Sequence, residues 1–261
     1  ALHVIRDSKP QDLAVMIRGN VDNQGDIVPR GYLQVMFEGP RRTFHEGSGR
    51  KELAAAITDP ANPLTARVIV NRVWAEYFGR GLVATPSNLG QLGERPTHPE
   101  LLDDLAVRFM QNGWSLKWLH RQILLSKTYQ RSSDLTEART AKDPANKLLW
   151  RMPRRRLPVE AWRDAVLSVA GKLDIETGGK SIRPDDVNET RRTIYSEVSR
   201  FELNPLLARF DFPDPNVHSA GRVETNTPLQ KLFLLNSSFM TTYGKHLADR
   251  ATGDDMATQV G

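Results

Sequence analysis

Between Asn62 and Ser133 apolar residues recur at helical spacing, and the rest of the chain is read around that run. In NPLTARVIVNRVWAEYFGRGL, residues Ala66, Ile69, Val70, Val73, Trp74 and Tyr77 define one buried face of a helix beginning near Pro63. Gly79 stands where a left-handed cap would end that helix. The glycine- and proline-rich loop that follows leads into THPE, which predicts a capping box between Thr97 and Glu100. Leu101, Leu102, Leu105, Ala106 and Phe109 then form a second face, closed by Gly113. Ser115 is expected to cap a third helix that turns Leu116, Leu119 and Ile123 inward. The short link between these last two helices makes them an antiparallel pair.

Around this centre the pattern is less regular. A short helix is expected over Arg50–Ile57, ending before DPANP. Upstream, LAVMIRGN reads as a short strand and GYLQVMF as a second strand or a short segment packed on the helical body, with the intervening GNVDNQGDIVPRG as a loop. The polar stretch SDLTEARTAKDPANK reads as a separator, dividing the chain into 1–50, 51–133 and a second helical part, 134–261, packed on the first. In that last part Pro158 opens a helix with Val159, Trp162, Val166 and Val169 on its apolar face. RRTIYSEVSR reads as a strand, and Thr227, Pro228 and Gln230 signal a late helix. The expected fold is mainly α, built on capped helical hairpins, with a few short β-strands near the N-terminus and around residue 194. The start lacks both an initiator Met and the layout of a signal peptide, and HLADRATGDDMATQVG ends without a clear stop, which together suit a truncated piece.

Composition narrows the chemistry. Hydrophobic residues make up 39% and charged ones 26%, which suits a packed core and argues against disorder. No window approaches the length of apolar sequence that a membrane-spanning helix needs. With no cysteine, these residues can hold no disulfide, thiolate zinc site, iron–sulfur cluster or covalently attached c-type haem. The net charge of +5 is carried mostly by arginine, whose planar fork suits carboxylate, sulfate or phosphate.

Several polar positions are candidates for function. None of the six histidines pairs at the spacing of a helical metal site. His98 in its capping turn reads as structural, with a loop-borne ligand or proton-transfer role as the alternative, and His120, mid-helix near the apolar stripe, reads as a core histidine; both are kept as catalytic candidates. Asn71 and Arg72 on the central helix join them as a candidate catalytic site for an oxidoreductase or a carbohydrate-active enzyme. GGKS at 178–181 lacks the first glycine and the following helix of a phosphate loop. FDFPDPN offers Asp211 and Asp214 as oxygen ligands for calcium, without the glycine and distal Glu of an EF-hand. Arg67 and Arg72, the run Arg154, Arg155 and Arg156, and the pair Arg191 and Arg192 form a candidate anion- or partner-binding set. The hairpin over 97–130 invites a DNA-binding reading, but its second helix is only moderately basic and carries bulky Trp118, so nucleic acid is disfavoured.

The segment NPLTARVIVNRVWAEYFGRGLVATPSNLGQLGERPTHPELLDDLA resembles a C-terminal domain of unknown function found in large exported planctomycete proteins. RGNVDNQGDIVPR, GWSLKWLHRQILLSKTYQRSS, NKLLWRMPRRRL, RRTIYSEVSR, LLARFDFPDPN and TNTPLQKLFLLNSSFM match the same family in the same order, so the likeness covers nearly the whole chain. The resemblance implies a periplasmic or cell-surface location and linkage to a cytochrome c domain of the same or a partner chain, which would carry haem c. It implies no cofactor in these residues and no established activity. The expected role is an accessory module that binds an acidic or sulfated polysaccharide, or a protein partner, for redox work done elsewhere. A catalytic domain and a purely structural or interaction domain are the alternatives.

Overall fold

Helical periodicity dominates the sequence, and the computed structural model, which describes residues 4, 6, 7 and 9–253, is mainly helical. Among the described residues there are nine α-helices and one two-stranded antiparallel hairpin. The chain divides into two compact units, 1–153 and 154–261.

The first unit is organised by α2 (Thr65–Phe78) and α3 (Pro99–Gln111), joined in one core by α4 (Leu116–Leu124). Val70 and Leu119 are fully buried there, each worth about 1.5–3 kcal/mol of apolar transfer. Trp74 stacks on Phe78 at 4.4 Å between ring centroids. Gly79 caps α2 in the left-handed region, φ 76°, as the sequence indicates. Ser115 caps α4 by accepting from the Trp118 N–H. Leu116, expected inside, is half exposed; it is the first residue of α4, at the open end of the Leu119–Ile123 stripe.

The expected box at THPE does not form. Pro99 occupies the first turn of α3 and His98 becomes the cap residue without a side-chain bond. Thr97 instead donates its N–H to the Leu82 carbonyl at 2.9 Å and so ties the loop back to the core.

At the N-terminal end β1 (Leu13–Met16) pairs with β2 (Gln24–Val28), not with GYLQVMF. The reversal between them begins at Asn20, whose side chain accepts from the Asp22 N–H. GYLQVMF forms a 3-10 turn over Gln34–Met36. Helix α1 (Arg50–Thr58) follows, capped by Gly49. The polar stretch after Ser133 holds a helix the sequence reading did not predict, α5 (Glu137–Lys142), and lies within the first unit.

The second unit contains α6 (Val159–Val169), α7 (Pro205–Arg209), α8 (Pro228–Asn236) and α9 (Ser238–Gly253). Trp162 of α6 packs on both of its apolar clusters, one around Leu167, Phe239 and Tyr243 and one around Val159, Leu206 and Leu207. The capping box of Thr227 and Gln230 forms as the sequence predicts. The late helix is broken at Ser237, whose extended backbone ends α8 and whose hydroxyl accepts from the Met240 N–H. Around residue 194 there is no strand ladder. Thr193–Tyr195 make a 3-10 turn, flanked by an isolated bridge between Ile182 and Ser196. The reason is Arg163.

Arg163 projects from α6 and is fully buried. It donates to the carbonyls of Pro184 at 3.1 Å, Arg191 at 3.0 Å and Glu189, and to the Thr193 hydroxyl at 3.1 Å. Burial lowers its pKa against the opposing pull of Asp164. The Asp164 carboxylate accepts from both the N–H and the hydroxyl of Thr193. Of the expected strand, the Arg191 carbonyl and the Thr193 hydroxyl are thus drawn onto one guanidinium, and the Thr193 N–H onto Asp164.

Candidate functional site

In the first unit, the segment after α4 folds back on itself and builds an open cleft of about 390 Å³. Its geometry follows from a few side-chain-to-backbone bonds. Asp143 accepts the Lys147 and Leu148 N–H groups at 2.9 and 2.8 Å, which closes a tight turn. Asn146, buried and in the left-handed region at φ 51°, donates to the Arg151 carbonyl and accepts from the Arg151 N–H. Leu149 is also left-handed, φ 53°, a conformation that β- and γ-substituted side chains disfavour and that marks a constrained turn. The Met152 N–H bonds to the Ser132 carbonyl, so the two ends of the segment meet.

This turn presents Trp150 and Arg151 beside Arg131 and Ser132, with Asp134, Thr136 and Arg139 completing the lining. The Trp150 indole N–H is held by the Asp143 carbonyl at 2.9 Å, which fixes the ring. The Arg151 guanidinium lies 5.4 Å from the Trp150 ring centroid, and its Nε is buried without a hydrogen-bond partner. None of Arg131, Arg139 and Arg151 forms an ion pair with a carboxylate among the described residues. Asp134 is the one acid in the lining, so the three guanidinium groups leave an excess of two positive charges. Its Oδ2 accepts from the Ser132 hydroxyl at 2.5 Å, and its N–H donates back to that hydroxyl. Unpaired guanidinium groups gathered in a cleft with an aromatic wall suit a ligand that carries an oxyanion.

The residues singled out in the sequence are placed elsewhere. Asn71 is buried in α2, where its amide accepts from the Val83 N–H at 2.8 Å and donates to the Val83 carbonyl at 2.9 Å. A Cβ on Gly81 would fall 2.6 Å from the Asn71 Oδ1, so the glycine permits this clamp. Arg72 is exposed on the same helix. His98 hydrogen-bonds the Thr97 hydroxyl at 3.0 Å. His120 bonds through Nδ1 to the Tyr77 hydroxyl at 2.7 Å and links α4 to α2. Burial raises the Tyr77 pKa, with a smaller push from Tyr129. Asn71 and His120 therefore hold loop and helices in place, and none of the four lines the cleft described above.

Of the arginine set, two lie in the first unit and five in the second. Arg67 donates to Asp103 at 2.6 Å, a bond that holds the Asp103 carboxyl below its ordinary range, and also to the Pro63 carbonyl. In the second unit, Arg154, Arg155, Arg156 and Arg192 are exposed, and Arg156 donates to the Thr225 carbonyl. Arg191 donates to the carbonyls of Lys180 and Gly178 and lies 4.5 Å from the Tyr195 ring centroid, where it staples the GGKS loop.

The two acids considered for calcium do not form a ligand set, and no group of three or more metal-ligating side chains occurs among the described residues. Asp211 accepts from the N–H and hydroxyl of Thr225 at 2.8 and 2.7 Å and from Gln230. Burial raises its pKa, but these hydrogen bonds and Arg156 outweigh burial and leave it lowered. Asp214 closes a local turn by accepting from the Asn216 N–H.

The sequence reading missed the cleft because its residues lie in the polar separator and in NKLLWRM, where helical periodicity is absent. The one signal available was the adjacent Trp150–Arg151 pair.

Residues 49–260 match the sequence model of a family described as PSD1, protein of unknown function (DUF1553). No curated protein and no solved structure matches the chain.

Proposed function

The match spans well over half of the chain, which therefore belongs to the PSD1 (DUF1553) family of proteins of unknown function, and we propose that it is a binding module for an acidic partner. The cleft between Arg131, Arg139 and Arg151 is its binding site. The observation that carries this reading is a cleft lined by three arginines, none of which pairs with a carboxylate among the described residues. A guanidinium that lines a cleft without a carboxylate partner has N–H donors to offer an incoming oxyanion.

The setting we propose follows the resemblance in the sequence: an exported planctomycete protein, in the periplasm or at the cell surface, in which this module serves a cytochrome c domain of the same or a partner chain. Haem c would belong to that separate domain, since these residues contain no cysteine to attach it. The partner favoured is an acidic or sulfated polysaccharide. Catalysis at Asn71, Arg72 and His98 gains no support from the geometry, because the Asn71 amide is engaged with Val83.

Thermal shift of the chain with sulfated, carboxylated and neutral polysaccharides, at low and physiological salt, tests the reading. The expected result is stabilisation by an acidic polymer that shrinks as salt rises and is reduced in Arg151→Gln. Equal shifts with neutral polymers, or no shift at all, would contradict it.

A further inference from the structure

We infer that the ligand of this cleft is an acidic sugar, a ring laid against Trp150 that places one or two carboxylate or sulfate groups among Arg131, Arg139 and Arg151. The inference rests on the anion-binding reading above and narrows it by four observations.

The first is size. A cleft of about 390 Å³ has room for roughly a dozen water-sized volumes of about 30 Å³, far more than an inorganic oxyanion fills. It falls in the range of small-molecule sites. The second is the wall. The Trp150 N–H is held by the Asp143 carbonyl, so the indole is a fixed part of the lining, with the Arg151 guanidinium 5.4 Å from its ring centroid, and little freedom is lost when a sugar ring packs beside it.

The third is a pair of hydroxyl-matching groups. Thr136 stands at the cap position of α5 but its side chain makes no capping bond, so its hydroxyl can donate and accept within the cleft. Ser132 holds the Oδ2 of Asp134, and Oδ1 has no hydrogen-bond partner among the described residues. The fourth is the sign of that group. An ionised carboxylate only accepts, so it suits a sugar hydroxyl and repels a second anion. A densely charged phosphodiester would bring charge against Asp134, whereas a polyol with few acidic groups would not.

Isothermal titration of the chain decides this. The ligands are a uronate disaccharide, a sulfated disaccharide, their neutral counterpart, inorganic sulfate and a short single-stranded oligonucleotide. At least one acidic disaccharide is expected to bind about tenfold or more tightly than both inorganic sulfate and the neutral sugar. Comparison of the uronate with the sulfate ester tells which acid the arginines prefer. Trp150→Leu should remove the advantage over inorganic sulfate, and Thr136→Val, a change at an exposed residue, should reduce sugar binding without altering sulfate binding. If inorganic sulfate and the acidic sugars bind equally, the sugar inference falls and the anion-binding reading stands. Tighter binding of the oligonucleotide also overturns the sugar. If no anion binds, both fall. The comparison among ligands on the unaltered chain holds even if Trp150→Leu does not fold.

Discussion

Arg163 is the residue on which the second unit depends most. Replacing it with Met would leave the carbonyls of Pro184, Glu189 and Arg191 without their donor in a buried site. A loss of about 3–5 kcal/mol is expected, read from urea unfolding. A loss under about 1 kcal/mol would mean that the 184–193 loop does not need the guanidinium. Asp211 makes a second prediction. Its pKa is lowered on folding, so its contribution is complete above its unfolded pKa and disappears as pH falls through the folded one. The urea midpoint should therefore fall below about pH 4, and Asp211→Asn should flatten that fall. Neither role was legible in the sequence. Arg163 sits in VEAWRDAV among apolar residues, and only tertiary structure brings distant carbonyls to it. Asn71 is a similar case: in the sequence it falls off the apolar face of its helix, yet its amide finds Val83 across a loop.

At the scale of elements, local rules carried far where the partner lay within one turn. Gly79, Ser115 and the Thr227–Gln230 box are all found as read, because a cap is satisfied by residues three or four positions away. Ser115→Ala should accordingly cost about 1 kcal/mol in urea unfolding, and an unchanged midpoint would show that α4 does not rely on its cap. The same rules failed where a competing bond won. Thr97 serves the Leu82 carbonyl and not α3, and Thr193–Tyr195 bend toward α6 and not into a ladder. Helix α5 was hidden for a different reason. At six residues with no buried side chain, it has no apolar period to detect.

For the molecule as a whole, two cores account for the two units, one built on α2, α3 and α4 and one on the helices around Trp162. The residues at 154–158 that open the second unit are exposed and belong to no helix or strand. Limited trypsin digestion should cut first after Arg154, Arg155 or Arg156, and earliest cleavage within 131–147 would contradict that order. We propose that oxyanions bind in the cleft of the first unit, not on the exposed arginine run of the second. The direct measurement is titration of an acidic disaccharide at low salt into three forms of the chain. These are the unaltered chain, Arg131→Gln with Arg139→Gln and Arg151→Gln, and Arg154→Gln with Arg155→Gln and Arg156→Gln. We predict that the cleft variant loses roughly a hundredfold or more in affinity while the second variant binds as the unaltered chain does. Undiminished binding by the cleft variant, or an equal loss in both, would contradict the account.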